Sequence, residues 1–280
     1  MSKTDLHLHS SASDGSDSIP ELLEKIRAGG LTVFSVTDHD TIDGALEMQA
    51  LATDEIQYIM GIEFTCITPC GKCHILGYRY DPASPAMQEA LEHGKNLRSR
   101  KLVKRLEMME QQFGIRLTDA ELDWLYSQKS PCKPHIANVL VKRGLFPDNK
   151  SAISEVLDHC EVPNSKLDAE EAVSAILLAG GIPVWAHPLG GEGEELLTEQ
   201  AFRAQLAYLK SVGIQGLECF YSRYDQNHIA LLKMAAAENG LLVSGGSDYH
   251  GKNKKNITLG KLNTECRNVP AEEITILSAF

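Results

Sequence analysis

Six of the ten histidines in this 280-residue chain lie beside a carboxylate or at one end of an apolar, β-rich run. The first run reads Asp5-Leu6-His7-Leu8-His9-Ser10, and the last leads into Ser247-Asp248-Tyr249-His250. Because successive side chains of a strand point to opposite faces, His7 and His9 are predicted to face the same way. The same holds for Asp248 and His250. Each pair can hold one ion from two sides, which favours a metal site where several strands end.

Residues of the same kind recur at other predicted strand ends. They lie in Thr37-Asp38-His39-Asp40, Gly61-Ile62-Glu63, His74-Ile75-Leu76-Gly77 and Ala186-His187-Pro188. In α/β barrels functional side chains collect at the carboxyl ends of the strands, because the loops there surround one opening. His74 instead begins its strand, which predicts a strand that runs the other way or a local departure. Imidazole with carboxylate suits zinc, manganese or iron, and the lack of cysteine in the set disfavours a structural zinc site.

Strand-like and helical segments alternate over most of the chain. Strands are predicted near 3–8, 32–37, 57–65, 74–80, 182–186, 214–220 and 241–247. Helices are predicted after Ser18 up to Gly29-Gly30, after Asp168 up to Gly180-Gly181, and near 198–211 and 225–239. This order is typical of βα units, and seven strands favour a barrel over an open sheet.

The stretch 84–165 differs from the rest, since it lacks a clear strand and reads as helices at 86–112, 118–128, 134–143 and 150–159. Long insertions in a compact domain usually carry a function. The fold class is therefore predicted as α/β, with residues 1–83 and 166–280 forming the barrel and 84–165 a helical insertion or cap domain.

Composition and net charge limit the kinds of partner that the chain is expected to bind. A net charge of −11 and a pI near 5.4 argue against a broad nucleic-acid-binding face, but allow a small anionic substrate bound by local cations. A membrane span, a secretory signal and a membrane partner are not expected. Seven scattered cysteines suit the reducing cytoplasm. The Cys70/Cys73 pair has zinc or redox spacing, but without a second pair a loop with incidental cysteines is favoured.

In order along the chain, the HxH, TDHD, Glu, His, AHP and SDxH segments resemble the polymerase and histidinol phosphatase (PHP) superfamily. The start, Asp5-Leu6-His7-Leu8-His9-Ser10-Ser11-Ala12-Ser13-Asp14-Gly15, resembles the DLHxHSxxSDG opening of the stand-alone metal-dependent phosphoesterases. The resemblance implies a distorted (β/α)7 barrel with a trinuclear centre of divalent ions. Manganese is the expected metal, with zinc and iron(II) as alternatives.

The resemblance also implies a catalytic, metal-binding set of nine residues. The first ion would take His7, His9, Glu63 and Asp248; the second Asp14, His39 and His250; the third His74 and His187, with Glu63 as a bridge to the first. Asp5 and Asp38 are interpreted as groups that orient histidine rings.

Substrate selection is predicted to come from the insertion. Arg98 and Arg100 are expected to reach a second phosphate, with a solvated helix face as the alternative. Lys133-Pro134-His135 resembles the family's Arg-Pro-His segment, although a lysine is a point charge and cannot form a bidentate fork. His135 is predicted to be in the site, unless it is an ordinary helix-start histidine. The lysine-rich stretch 251–255 is interpreted as a solvated loop.

These features predict a metal-dependent phosphoesterase, in which a hydroxide bridging the ions attacks phosphorus. The expected substrate is small and carries two phosphates, such as a nucleoside 3′,5′-bisphosphate or a short oligonucleotide end; no stable nucleic-acid partner is expected. The first alternative is a phosphoribosyl cyclic phosphate. A second is an amidohydrolase-type metal hydrolase, which Glu63 and the Asp248-x-His250 segment disfavour. A non-catalytic module is the least favoured.

Overall fold

The computed structural model describes residues 3–53, 55–128, 131–162 and 165–280. Its strands are β1 (Thr4–Leu8), β2 (Val33–Val36), β3 (Gln57–Thr68), β4 (Gly71–Tyr78), β5 (Leu167–Asp168), β6 (Ile182–Ala186), β7 (Gly216–Tyr221), β8 (Leu242–Gly246), β9 (Lys261–Leu262) and β10 (Arg267–Asn268). Its α-helices are α1 (Ile19–Gly29), α2 (Asp43–Leu51), α3 (Pro85–Phe113), α4 (Asp119–Tyr126), α5 (Lys133–Lys142), α6 (Asn149–Ala152), α7 (Ala169–Leu178), α8 (Glu199–Ser211) and α9 (Gln226–Asn239).

Seven strands follow one another in a single sheet, in the order β1-β2-β3-β4-β6-β7-β8, and β5 pairs with β3 outside this path. The two ends of the path meet, since Leu8 and Tyr249 form an isolated parallel bridge. The amide of His9 donates to the carbonyl of Tyr249 at 2.9 Å. The sheet is therefore a nearly closed ring, and the predicted distorted (β/α) barrel is confirmed.

The meeting of β8 with β1 depends on a glycine. A Cβ on Gly246 would lie 2.4 Å from Cβ of His7 and 2.5 Å from its backbone nitrogen. Contacts that short do not occur between real atoms, so only glycine lets β8 come this close to β1. The close approach places the segment after β8 next to the histidines of β1.

Strand β4 is antiparallel to both of its neighbours, β3 and β6. The prediction that the His74 strand runs the other way is therefore confirmed. β3 and β4 form a hairpin in which Thr65 lies opposite His74 and Cys66 opposite Cys73. Because β4 is reversed, its first residues lie at the same edge of the sheet as the last residues of the parallel strands.

Helix α1 shows how the outer layer is held. The Glu21 carboxylate accepts a hydrogen bond from the Ser18 amide at 2.8 Å, and Gly30 ends the helix with φ of 67°. One face buries four side chains, Ile19, Leu22, Leu23 and Ile26. They pack in one cluster with Leu8 and Phe34 of the barrel strands. Both helix ends agree with the predicted signals.

Helix α2 was absent from the sequence prediction. It has nine residues, and Ile42 at its N-cap makes no side-chain capping bond. It therefore lacks the polar start signal that marks α1.

By its contacts the chain divides into two compact units, Met1–Glu92 with Leu167–Phe280, and His93–Lys166. The first holds every strand named above. The described part of the second is helical and has its own apolar core, which includes Leu102, Met109, Leu125, Ile136 and Leu140. The second unit begins within α3 and not at residue 84; the role of 84–165 as a cap stays a prediction.

Across the described parts of the chain, none of the helices combines the length and the apolar composition that crossing a lipid bilayer requires.

Candidate metal centre

The nine predicted ligands lie together at one end of the barrel. β1 supplies His7 and, directly after it, His9; the loops after β1, β2, β6 and β8 supply Asp14, His39, His187, Asp248 and His250; the β3–β4 hairpin supplies Glu63 and His74. Most are buried, whereas the side chains of His39 and His74 are 22% and 23% exposed and that of Asp14 is 52% exposed. The cluster thus opens to solvent on one side only.

Glu63 contacts more histidines of this cluster than its other carboxylates do. Its Oε1 lies 3.0 Å from Nδ1 of His74 and 3.1 Å from Nε2 of His187. Its Oε2 lies 3.1 to 3.3 Å from a ring nitrogen of three further histidines, His7, His9 and His39. A carboxylate in contact with five imidazoles can serve more than one ion, as a bridging ligand does.

Asp248 uses its two oxygens differently. Oδ1 lies 3.3 Å from Nε2 of His9 and 3.6 Å from Nε2 of His7. Oδ2 accepts hydrogen bonds from the Tyr221 hydroxyl at 2.9 Å and from Nζ of Lys254 at 2.7 Å. One oxygen therefore faces the histidines while the other is fixed from behind. The Asp248 backbone has φ of 60°, a strained value that is typical of functional sites.

A second group forms around Asp14. Its Oδ1 lies 3.2 Å from Nε2 of His250 and 3.5 Å from Nδ1 of His9, and its Oδ2 lies 3.9 Å from Nε2 of His39. The rings of His9 and His250 stack with centroids 4.0 Å apart. His9 thus presents one ring nitrogen to this group and the other to Glu63.

The donor atoms fit divalent metal ions. Within the part of the chain that the structure describes, Oε2 of Glu63, Nδ1 of His9 and Nε2 of His250 are buried and have no partner aligned for a hydrogen bond. Nε2 of His7 lies 3.1 Å from Nε2 of His9. Two nitrogens on one zinc ion, each bound at about 2.1 Å, lie no more than about 4.2 Å apart, so this spacing suits a shared ion. Buried polar atoms left unpaired are otherwise costly.

In each of three sets of residues, the donor atoms all lie within 4.8 Å of one another. The sets are His7, His9 and Glu63; His9, Asp14, His39 and His250; and His39, Glu63 and His74. The first two sets share most of their residues with the ligands predicted for the first and second ions. The third contains His39 where the prediction has His187. Assignment of each ligand to one ion, and the number of ions, therefore stay predictions.

The pKa shifts of two carboxylates and two histidines of the cluster also suit metal binding. Burial alone would raise the pKa of Glu63, but His7, His39 and His74 hold it well below its usual value. In Asp248, His7 and His9 likewise outweigh burial and lower the pKa. Both carboxylates are therefore ionised at neutral pH. Burial lowers the pKa of His39 and His250, which favours the neutral imidazole that binds metals.

Sequence reasoning missed Glu218, a fully buried carboxylate on β7. Its Oε1 lies 2.9 Å from Nδ1 of His7, and its Oε2 accepts from the backbone amide of His187 at 2.8 Å. The first contact turns Nε2 of His7 towards the cluster. The available signal was one acidic residue inside the otherwise uncharged strand Gly216–Tyr221.

The interpretation of Asp5 and Asp38 as partners of histidine rings is wrong. Asp5 accepts from the amide of Ser247 at 2.8 Å and of Gly260 at 2.7 Å, and so fixes the backbone after β8. Asp38 accepts from the amide and hydroxyl of Ser10 at 2.8 and 2.6 Å, directly after His9. Both carboxylates accept hydrogen bonds from backbone amides and serine hydroxyls, and so hold the main chain beside a ligand.

For Lys254, the interpretation of stretch 251–255 as a solvated loop is also wrong. Its side chain is 26% exposed and its Nζ contacts Asp248, whereas Lys252 and Lys255 are exposed. Burial opposes the charge, but Asp248 outweighs it and raises the pKa of Lys254. A permanent cation therefore lies beside a candidate ligand.

The four predicted substrate-binding residues belong to the second unit. Arg98 and Arg100 lie on α3. Lys133 begins α5, with Nζ 2.5 Å from Oδ1 of Asp158. Nδ1 of His135 lies 3.0 Å from Sγ of Cys132. Their role towards a substrate stays a prediction.

Comparison with known proteins identifies the family of the chain. The PHP domain family matches residues 5–161, more than half of the chain. A 3′,5′-nucleoside bisphosphate phosphatase of Chromobacterium violaceum is 28% identical over 89% of this chain and 88% of its own length. A 5′-3′ exoribonuclease of Haemophilus influenzae is 30% identical over 89% and 90%, and a phosphoribosyl 1,2-cyclic phosphate 1,2-diphosphodiesterase of Eggerthella lenta is 29% identical over 89% and 94%.

Two solved structures share the fold at 25% sequence identity. One, of Bifidobacterium adolescentis, is provisionally named a metal-dependent phosphoesterase; its TM-score is 0.76, over 97% of this chain and 98% of its own. The other, from Chromobacterium violaceum, is named an amidohydrolase and has a TM-score of 0.79, over 99% and 95%. With its histidine and carboxylate cluster, this chain is a metal-dependent phosphoric ester hydrolase and belongs to the PHP domain family, in the branch of the stand-alone phosphoesterases.

Proposed function

We propose that this chain releases phosphate from a small substrate with two phosphate groups, such as a nucleoside 3′,5′-bisphosphate. The observation that carries the proposal is the convergence of nine candidate ligand side chains, with Glu63 among them, at one end of the barrel. The bisphosphate phosphatase of Chromobacterium violaceum, which is similar along 89% of this chain, supports the choice of substrate.

The proposed cofactor is three divalent ions, with manganese as the first choice and zinc or iron(II) as alternatives. When bound, such ions provide an activated water near neutral pH and offset charge that builds up on phosphoryl oxygens. Glu63 would serve more than one ion, since its two oxygens face different histidines. His7, His9 and Asp248 would complete the buried part of the centre.

The protein supplies positioning groups around these ligands. Glu218 fixes the ring of His7 and the backbone of His187. Tyr221 and Lys254 hold Oδ2 of Asp248, so that Oδ1 stays turned towards the histidines. Such supporting contacts preset the ligand geometry before the ions bind.

Binding of the second phosphate is proposed for the cations of the helical unit. Arg98, Arg100, Lys133 and His135 are the candidates, and Lys133 would act as a point charge. The proposed partner is the small phosphorylated substrate alone, without a membrane or a stable nucleic-acid partner. The cytoplasm stays the location predicted from the sequence.

Two other substrates have specific support. The relative in Eggerthella lenta is named for a phosphoribosyl cyclic phosphate, and the one in Haemophilus influenzae for a 5′-3′ exoribonuclease activity. The name of the second solved structure keeps amide hydrolysis among the reactions to be tested. The leading proposal remains the bisphosphate, because the metal centre would act on one phosphate and the cations predicted in the insertion would bind the second.

The test measures phosphate release from adenosine 3′,5′-bisphosphate by the manganese-loaded protein. Ribose 1,2-cyclic phosphate 5-phosphate, a 5′-phosphorylated RNA oligonucleotide and an N-acyl amino acid are run beside it. His9→Ala is the inactive control, and His93→Ala, at an exposed position on α3, is the matched histidine control. We expect turnover of the bisphosphate that His9→Ala abolishes. Turnover of only the cyclic ester, the RNA or the amide would refute the proposed substrate.

A further inference from the structure

A cavity of about 220 Å³ adjoins the metal centre within the barrel unit. His74 and His187 form part of its wall, so the cavity begins at candidate ligands. The rest of the wall comes from β4, the end of β6 and the loop between β6 and α8, with Lys72, Trp185, Glu195 and Leu197 among its residues. We call it the β6–α8 pocket. None of the predicted substrate-binding residues lines it.

The size of the pocket restricts its occupant. Sites that enclose a whole drug-sized ligand measure about 300 to 1,000 Å³. At about 220 Å³ this pocket suits one ring-sized part of a substrate whose phosphate lies at the neighbouring centre.

The charge of the wall disfavours a second phosphate. Lys72 is the one lysine or arginine among the lining residues, whereas Glu194 and Glu195 contribute two carboxylates. Carboxylates repel an anion and can accept hydrogen bonds from N–H groups, although Oε2 of Glu194 already accepts from the amide of Gly191 at 2.9 Å. Trp185, Pro188 and Leu197 add apolar surface. Apolar walls with a few polar acceptors suit an uncharged heterocycle that carries an amino group.

The loop that forms the pocket is held in place. The amide of Leu189 donates to the Tyr224 hydroxyl at 2.8 Å, and Nη1 of Arg223 donates to the carbonyls of Gly191 and Glu194 at 2.5 and 2.6 Å. Gly190 has φ of 118°, which favours glycine. A pocket formed in advance avoids the ordering cost that a flexible loop would add to binding.

One side chain links this loop to the metal centre. The Tyr221 hydroxyl accepts from the amide of Glu192 at 2.9 Å and donates to Oδ2 of Asp248 at 2.9 Å. The loop wall and a candidate ligand are therefore fixed by the same group, which keeps the pocket in register with the reacting phosphate.

We propose that the β6–α8 pocket binds the heterocyclic base of the substrate's leaving group. That the base belongs to the substrate of the reaction rests on the proposed function. That the pocket binds a base does not. It makes the pocket, and not the helical unit, the part of the chain that selects nucleosides over other phosphate esters.

The first test measures binding of adenosine, which contains a base and no phosphate. Leu197→Trp fills the pocket, and Leu196→Trp is the matched control at a neighbouring leucine that is 39% exposed and outside the lining. By calorimetry we expect the Kd of adenosine to rise at least tenfold in Leu197→Trp and to change less than twofold in Leu196→Trp. No binding to the parent protein, or the same Kd in both variants, would overturn the proposal.

A second measurement leaves the pocket unaltered. The chain has two tryptophans, Trp124 and Trp185. In Trp124→Phe the remaining fluorescence comes from Trp185, in the pocket wall. Adenosine is expected to change this emission with the calorimetric Kd, while ribose leaves it unchanged. Emission that does not respond to saturating adenosine would contradict the proposal.

The third test separates this inference from the proposed function. Adenosine 3′,5′-bisphosphate, when its 3′-phosphate is released, and glycerol 2-phosphate both yield a secondary alcohol, but only the first carries a base. The ratio of their kcat/KM values is expected to fall about tenfold in Leu197→Trp and to stay within twofold in Leu196→Trp; an unchanged ratio in both would refute the pocket's role. If the parent protein hydrolyses neither ester, the proposed function fails, and adenosine binding still decides the inference.

Discussion

At the scale of single residues, Glu218 is the side chain that orients part of the histidine cluster for metal binding. It is fully buried and uses one oxygen for the ring of His7 and the other for the backbone of His187. A histidine that binds metal through Nε2 needs its proton on Nδ1, and the Glu218 carboxylate favours this tautomer.

Glu218→Gln should weaken metal binding without removing a ligand. An amide accepts a hydrogen bond through one atom only, so either His7 or the His187 amide loses its acceptor. We expect Mn²⁺ affinity to fall about 10- to 100-fold, as is typical for partners of ligating histidines. Titration with Mn²⁺, followed by calorimetry, measures the change. Glu238→Gln, at an exposed carboxylate paired with Arg203, is the control; equal affinities in the two variants would contradict the prediction.

The buried carboxyl group of Asp5 should make the free energy of unfolding depend on pH. Burial raises its pKa to about 6, although hydrogen bonds from Ser247, Gly260 and His7 oppose the rise. The folded state therefore binds a proton more tightly than the unfolded chain, whose Asp pKa is about 3.9. The stability that this proton contributes is present below pH 4 and is lost as pH rises through 6.

Comparison with Asp5→Asn isolates this effect, since the asparagine does not titrate. Between pH 7.5 and 4.5 the parent protein should gain free energy of unfolding relative to Asp5→Asn, by up to about 2 kcal/mol. Urea unfolding at several pH values measures the difference. A difference that is constant across this range would show that Asp5 keeps an ordinary pKa.

At the scale of elements, the reversal of β4 explains an oddity of the sequence. His74 lies near the start of its strand, while the ligands outside the β3–β4 hairpin lie at or after the ends of parallel strands. Because β4 is antiparallel to β3 and β6, its start lies at the same edge. The hairpin places His74 opposite Thr65, two residues beyond Glu63.

The junction between β8 and β1 should be intolerant of any side chain. In Gly246→Ala the new methyl group would collide with His7, so the strands must separate. We expect a loss of stability of about 1 to 3 kcal/mol, as for overpacked cores, and weaker metal binding. Gly94→Ala is the control: its Cβ meets nothing within 4 Å, and alanine favours a helix by about 1 kcal/mol. Equal urea midpoints for Gly246→Ala and the parent would refute this.

The strands and eight of the nine candidate ligands could be predicted because motif and position coincide, whereas Asp14 was predicted from the family resemblance alone. A histidine or acid at the end of an apolar run indicates both the end of a strand and a candidate ligand at that end, as with His39 and His187. Glu218 could not be placed, because its partners His7 and His187 are remote in sequence and no spacing pattern connects them. Lys254 looked like a surface residue for the same reason. Helix α2 lacked a polar cap, so nothing local marked its start.

At the scale of the whole molecule, charge links metal binding to stability. The chain carries a net charge of −11, and the carboxylates of Glu63 and Asp248 are buried at one end of the barrel. Divalent ions bound there offset this charge and bind the folded state alone, since the ligands come from strands far apart in the sequence.

Metal removal should therefore destabilise the protein as well as inactivate it. Mn²⁺ at 100 times its Kd contributes about 2.7 kcal/mol to the free energy of unfolding of the barrel unit. Thermal unfolding with EDTA and with increasing Mn²⁺ measures the gain. Glu63→Gln should lose most of it, while Glu238→Gln keeps it. A Tm of the parent protein that does not respond to Mn²⁺ would argue against a resident metal.

The closed ring of strands has a consequence for folding. The hairpin that carries Glu63 and His74 is local and can form early, since closing a short loop costs little entropy. The contact of β1 with the segment after β8 joins the two ends of the chain, and such long-range pairings form slowly. During synthesis, His7 and His9 therefore lack Asp248 and His250 as neighbours until β8 and the segment after it have been made. A metal ion that needs both groups of ligands would then bind only after β8 has joined β1.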